Sequence, residues 1–77
     1  MPHVVVKMIE GRSEAMKADL TERLTAALTG ALGVGEETVS VAIEDVPAER
    51  WDEDVFLPDI RGRKQTLYRK PGYAPVD

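Results

Sequence analysis

The sequence predicts an α/β fold in which one helix connects two parallel strands. Three observations support this. Residues 4–6 are all valine, which favours a strand. Apolar residues over 14–32 recur at helical spacing, and apolar residues over 39–43 alternate with polar or small ones. A strand–helix–strand connection of this kind makes the strands parallel, with a right-handed crossover.

The first strand is predicted over residues 3–9. Its apolar residues fall on both faces, which is typical of a strand covered on both sides. Residues 10–13, Glu-Gly-Arg-Ser, end it, and Gly11 permits a sharp turn. Ser13 is predicted to cap the helix, with Glu14 adding favourable negative charge in the first turn.

The helix is predicted over residues 14–32 and ends at Gly33, a residue that suits a helix C-terminus. We expect one apolar stripe to face the sheet. Its members are Met16, Leu20, Leu24, Ala27, Leu28, Ala31 and Leu32.

The second strand is predicted over residues 38–46, and Pro47 ends it. Residues 47–54 predict a short helical turn. Residues 55–57 are apolar, and Pro58 is expected to interrupt that run. Residues 59–69 leave two interpretations open, a short helix or a loop followed by a strand. Residues 70–73, Lys-Pro-Gly-Tyr, are typical of a turn. We expect residues 1–77 to form a single domain.

Composition excludes several classes of protein. The 77 residues contain no cysteine and one histidine, which excludes disulfides, thiolate metal sites and a multi-histidine zinc site within one chain. A pI near 4.9 argues against nucleic acid as the main partner. No apolar run is long enough to span a membrane, and the first residues lack a signal-peptide pattern. The expectation is a soluble, cytoplasmic protein.

Size predicts self-association. A chain below about 70–80 residues rarely builds a core worth more than roughly 3–5 kcal/mol without disulfides, metals or oligomerisation. Two strands and one helix also leave a sheet face and both sheet edges open. Both arguments favour a partner subunit.

The basic residues are unevenly distributed. Five of the ten lysines and arginines lie within residues 61–70. This basic segment is interpreted either as an ordinary solvated surface or as a rim that attracts anionic substrates or an acidic partner.

Pro2 is the strongest candidate for chemistry. An initiator methionine is normally removed before proline, which would leave a free secondary amine at the start of an apolar strand. Apolar burial would lower the pKa of this amine towards neutrality, where it could act as general base and then general acid. The alternative is that the proline only opens an edge strand, where its missing N–H costs nothing.

The order Pro2, strand, Glu-Gly-Arg-Ser turn, amphipathic helix and strand resembles the 4-oxalocrotonate tautomerase family over residues 2–51. Further features resemble its dimeric bacterial branch, which has about this chain length and is known for phenylpyruvate-type tautomerisation. They are His3, Ser40, the turn at residues 47–51 and the Lys-Pro-Gly-Tyr segment. The resemblance implies a tautomerase-like β-α-β subunit that forms a four-stranded mixed sheet by dimerisation. A homodimer is expected first and a trimer of dimers second.

The resemblance also implies an enol–keto tautomerase acting on a 2-hydroxy-alkenoate or arylpyruvate-like carboxylate. Pro2 would transfer the proton, so no metal or organic cofactor is expected. Arg12 would bind the substrate carboxylate, because its guanidinium can pair with it bidentately. Trp51 would form an apolar wall of the pocket.

Ser40 departs from the family pattern, because hexameric members carry a second arginine there. A serine hydroxyl can contact substrate but brings no charge, so a monocarboxylate fits better than a dicarboxylate. His3, which follows Pro2 directly, is expected to contact substrate, to tune Pro2, or to pack or hydrogen-bond across an interface.

Two other functions stay open at this point. One is a hydratase or dehalogenase of unsaturated acids, although Glu44 and Asp45 do not reproduce the acidic motif of those enzymes. The other is a non-catalytic oligomeric module that interacts through the basic segment.

Overall fold

The computed structural model describes residues 1–77, which form two compact units, residues 1–45 and 46–77. Strand β1 spans His3–Ile9, helix α1 spans Glu14–Leu32 and strand β2 spans Ser40–Val46. The strands form a two-stranded parallel sheet, so the predicted β-α-β fold class is confirmed. A short 3₁₀ turn, Glu36–Thr38, replaces the predicted beginning of the second strand.

Both ends of α1 follow the predicted capping chemistry. The Ser13 hydroxyl accepts the backbone N–H of Met16 at 3.2 Å. Gly33 adopts φ 68°, the left-handed region that favours glycine, and its N–H donates to the Thr29 carbonyl at 3.0 Å. Each cap supplies a partner to a backbone group that the helix itself leaves unpaired.

The half-buried face of α1 differs from the predicted stripe. Four of the seven predicted residues, Met16, Ala27, Ala31 and Leu32, are exposed, so the stripe is wrong at those positions. Threonines lie beside the leucines on the half-buried face of α1. The hydroxyls of Thr21 and Thr25 donate to carbonyls one helical turn back, at 2.9 and 2.8 Å. Because these polar atoms are already hydrogen-bonded, a threonine can pack where an apolar residue was expected.

Residues 46–77 are helical where the sequence left the structure open. A 3₁₀ turn at Ala48–Arg50 leads through Trp51 into a π-helix at Asp52–Ile60, followed by 3₁₀ turns at Arg61–Thr66. Helix is therefore the correct interpretation up to Thr66, and the π-helix continues through Pro58, which ends the apolar run. Proline removes one N–H from the helix, and irregular helical turns commonly accommodate that loss.

The four buried apolar residues of the chain are Val46, Val55, Phe56 and Val76, all within residues 46–77. Arg61 contacts two parts of this unit. Its guanidinium carbon lies 5.3 Å from the centre of the Phe56 ring, and its Nη2 donates to the Pro75 carbonyl at 3.1 Å. By contrast, every residue of 1–45 is exposed or half-buried. The first unit therefore lacks a fully buried core within a single chain. None of the helices combines the length and the hydropathy that a membrane span requires.

One ion pair links α1 to β2. Lys17 Nζ lies 2.5 Å from Asp45 Oδ2 and 3.5 Å from Glu14 Oε1, and the Lys17 side chain is only 17% exposed. The hydrogen bond to Asp45 raises the pKa of Lys17 above its ordinary 10.5. A pKa that is higher in the folded than in the unfolded chain makes this pair stabilising below about pH 10. The contribution is lost as the pH rises through the folded pKa.

We expect Lys17→Met to remove that pH dependence. Between pH 9 and pH 12 the urea midpoint of the wild type should fall more steeply than that of Lys17→Met, because only the wild type loses a charged lysine from the pair. Lys64→Met, a change at an exposed lysine, should follow the wild type. Parallel curves for the wild type and Lys17→Met would contradict a stabilising role for the pair.

Candidate active site

Pro2, His3 and Ser40 come together where the two parallel strands begin. The Ser40 backbone N–H donates to the Pro2 carbonyl at 3.2 Å, and His3 Nδ1 is hydrogen-bonded to Ser40 Oγ at 2.6 Å. Pro2 is half-buried, whereas His3 and Ser40 are exposed. Two of the four predicted site residues, Pro2 and Ser40, are therefore adjacent. The hydrogen bond between the His3 and Ser40 side chains places His3 in the same cluster. From the sequence, His3 was only one candidate for a substrate contact.

Met1 precedes this cluster and is 97% exposed. The peptide bond from Met1 to Pro2 is therefore accessible to a processing enzyme. While that bond is intact, the Pro2 nitrogen is an amide whose lone pair is delocalised and has no basic character. Cleavage would convert it into a secondary amine at the start of β1.

Arg12 lies at the other end of β1. It follows Gly11, whose φ of +125° few other residues adopt, and its Nη1 donates to the Ile9 carbonyl at 2.9 Å. The seven residues of β1 advance about 23 Å at the usual strand rise. A small substrate therefore cannot contact Pro2 and Arg12 of the same chain at once.

Trp51 belongs to residues 46–77 and is half-buried. Its Nε1–H donates to the Tyr73 hydroxyl at 3.0 Å, and the Tyr73 ring lies 5.8 Å from the Phe56 ring at a 55° tilt. Tyr73 thus fixes the orientation of the indole. This role of Tyr73 could not be predicted from the sequence, because 22 residues separate it from Trp51 and no local pattern connects them.

A groove of about 400 Å³ lies between α1 and β2. Its lining residues are Glu14, Lys17, Ala18, Thr21, Val41 and Ile43. None of the predicted site residues lines it. Because successive strand residues point to opposite faces, Ser40 faces away from the side that Val41 presents to α1. The candidate active site is therefore the cluster at the strand beginnings and not this groove.

The basic segment is partly engaged within its own unit. Lys70 forms an ion pair with Asp77 at 3.3 Å, and Arg61 binds the Pro75 carbonyl. Arg63, Lys64 and Arg69 are exposed. No three histidine, cysteine, aspartate or glutamate side chains are arranged to hold a metal ion.

The chain is similar to known proteins over a range that includes Pro2, His3 and Ser40. The family described as "Tautomerase enzyme" matches residues 2–52. A "probable tautomerase" from Xylella fastidiosa is 45% identical over 76 residues, which are 99% of this chain and 93% of that protein. A "2-hydroxymuconate tautomerase" from Comamonas testosteroni is 45% identical over 51 residues, covering 66% of this chain and 81% of that protein.

A solved structure matches as well. TomN, described as a 4-oxalocrotonate tautomerase homologue in the tomaymycin biosynthetic pathway, aligns with a TM-score of 0.64 and 46% sequence identity. The alignment covers 65% of this chain and 77% of TomN. The family match includes all four residues that the sequence analysis assigned to a site, Pro2, Arg12, Ser40 and Trp51.

Proposed function

Because the chain belongs to the tautomerase family and is an isomerase, we propose that it interconverts the enol and keto forms of a small carboxylate with Pro2 as its base. The substrate class is a 2-hydroxy-alkenoate or an arylpyruvate enol. The observation that carries the proposal is the cluster of Pro2, His3 and Ser40 at the strand beginnings, in which the Pro2 carbonyl accepts the Ser40 N–H and the His3 and Ser40 side chains are hydrogen-bonded to each other.

The proton balance needs no other reactant. After removal of Met1, the unprotonated Pro2 amine takes the proton of the enol hydroxyl. The O–H electron pair becomes the second C–O bond, and the pair of the C–C double bond moves onto the neighbouring carbon. The Pro2 ammonium then delivers its proton to that neighbouring carbon. The amine is regenerated, the product is an isomer of the substrate, and a base that becomes an acid in one cycle suits this role.

The length of β1 favours a site shared between two copies of the chain. In a two-fold pair, a strand that meets its own copy runs antiparallel to it. Pairing through β1 would extend the sheet to four mixed strands and bring the partner's Arg12 towards Pro2. That guanidinium would bind the substrate carboxylate, and Trp51 would supply an apolar wall.

Exposed apolar side chains support pairing. Val5, Ile9, Met16 and Leu32 are 46%, 39%, 58% and 57% exposed, and residues 1–45 contain no buried residue. Covering such surface is the usual way a small chain completes its core. We propose that residues 1–77 form a single domain and that two copies of the chain form a homodimer. A trimer of such dimers is the alternative assembly.

Two observations narrow the chemistry. Ser40 brings no positive charge, so one carboxylate on the substrate fits better than two. Asp45 is bound to Lys17 at 2.5 Å, and neither Asp45 nor the exposed Glu44 reproduces the acidic motif of the hydratases and dehalogenases. Tautomerisation of a monocarboxylate is therefore proposed ahead of those reactions.

A panel of substrates tests the proposal. We expect rapid conversion of enol-phenylpyruvate to its keto form, with kcat/KM rising with pH as a single base loses its proton. A chloroacrylate should release no halide. Intact mass of the protein from its native host should show that Met1 is absent. Halide release without tautomerisation, or a retained Met1, would reject the proposed reaction or its proposed base.

A further inference from the structure

We propose that His3 donates a hydrogen bond from Nε2 to the oxygen of the enol substrate, and that Ser40 positions the ring and selects its tautomer. This inference rests on the proposed function and extends it to a residue pair outside the Pro2 and Arg12 assignments. It starts from the 2.6 Å hydrogen bond between His3 Nδ1 and Ser40 Oγ.

The geometry restrains the imidazole from two sides. The His3 backbone follows Pro2 directly in β1, and its side chain reaches across to the first residue of β2. Ser40 is itself held to Pro2 by its backbone N–H, which donates to the Pro2 carbonyl at 3.2 Å. Both residues are exposed.

The bond between His3 Nδ1 and Ser40 Oγ can form in either direction, because the hydroxyl carries a proton and the imidazole proton can lie on either ring nitrogen. We assign the donor to the Ser40 hydroxyl and the acceptor to Nδ1, since only this direction leaves a ring N–H for a substrate oxygen. A neutral imidazole carries one proton, so an accepting Nδ1 puts that proton on Nε2.

This assignment decides which side chain can serve the substrate. Ser40 has one hydroxyl proton, and the bond to His3 uses it. The Nε2–H of His3 is then the donor available to an enol or enolate oxygen. A donor aimed at that oxygen stabilises the negative charge that develops when Pro2 removes the enol proton. Ser40 acts through His3 and is a positioning residue.

The tautomer can be read directly, because His3 is the only histidine of the chain. In ¹⁵N-labelled protein without substrate, above the pH at which the imidazole is charged, we expect long-range ¹H–¹⁵N spectra to show a protonated Nε2 and an unprotonated Nδ1. Ser40→Ala should shift the ring towards a mixture of tautomers, and Ser40→Thr should restore the wild-type pattern. A protonated Nδ1 in the wild type, or no change in Ser40→Ala, would overturn the assignment.

Kinetics test the substrate contact. We expect His3→Ala to lower kcat on enol-phenylpyruvate by about 10- to 100-fold with a small change in KM. This is less than the roughly 10²–10³-fold typical of a donor in a dry site, because His3 is exposed. His3→Gln, which keeps an N–H donor, should recover part of the loss, and Ser40→Ala should lose less than His3→Ala. An unchanged kcat in His3→Ala would refute the contact.

The two proposals fail in different ways. If the wild type does not tautomerise any enol carboxylate, the proposed function is wrong, while the tautomer measurement still decides the His3–Ser40 assignment. If the wild type is active and His3→Ala is equally active, only the His3 role is wrong.

Discussion

Blocking the Pro2 nitrogen should lower kcat/KM for an enol carboxylate by about 10²–10⁴-fold, the usual contribution of a positioned acid–base group. A glutamate inserted between Met1 and Pro2 is expected to prevent removal of Met1 and keep the Pro2 nitrogen in an amide bond. An amide nitrogen cannot accept the enol proton, because its lone pair is delocalised. Initial rates on enol-phenylpyruvate measure the effect, and intact mass verifies the blocked terminus.

The fold should survive this change. The Pro2 carbonyl, which accepts the Ser40 N–H, is untouched by a block on its nitrogen, and Met1 lies in solvent. Pro2→Ala is the companion variant. It keeps a terminal amine after Met1 removal but loses the ring that orients it, so its activity should also fall sharply. Wild-type turnover in the blocked protein, with an unchanged circular dichroism spectrum, would eliminate Pro2 as the base.

Arg12→Ala should have the second-largest effect, lowering kcat/KM for enol carboxylates by about 10- to 100-fold. Hydrogen bonds to charged groups contribute roughly 1.5–3 kcal/mol, and each 1.4 kcal/mol corresponds to about a tenfold change. Arg12→Lys should retain part of the activity, because lysine keeps the charge but not the bidentate geometry. A neutral enol should react with all three proteins at similar rates, since it has no carboxylate to bind.

Arg63→Ala is the matched control, because it removes an equally charged, exposed side chain outside the proposed site. It should leave kcat/KM near the wild-type value. An equal loss in Arg63→Ala would assign the effect to the overall charge of the protein. An equal loss of the neutral enol in Arg12→Ala would assign it to structure and not to carboxylate binding.

Mixing inactive variants tests whether the site is shared. If Pro2 and Arg12 act across the dimer, a Pro2→Ala chain paired with an Arg12→Ala chain contains one intact site. Random pairing of equal amounts makes half of the dimers mixed, so about a quarter of wild-type activity should return on refolding together. No recovery would mean that each chain uses its own arginine, in conflict with the length of β1.

Local interactions explain what could be predicted about this site. The place of Pro2 before a strand makes it a candidate, and the resemblance of the Glu-Gly-Arg-Ser turn to the tautomerase family implies a role for Arg12. The bond between His3 and Ser40 could not be predicted, because it spans 37 positions and depends on the register of two strands. The bond between Trp51 and Tyr73 likewise depends on how the last residues fold back within their unit.

The β-α-β order and both ends of α1 could be predicted from the amino-acid sequence alone. Those features depend on neighbouring residues: a serine that caps a first turn, a glycine that adopts positive φ, and side-chain periods of two or 3.6. The half-buried face of α1, the helical structure of residues 59–66 and the bond between His3 and Ser40 became known from the folded chain. They could not be predicted because packing and hydrogen-bond satisfaction depend on groups distant in the chain, whereas caps and turns are completed within one or two turns of backbone.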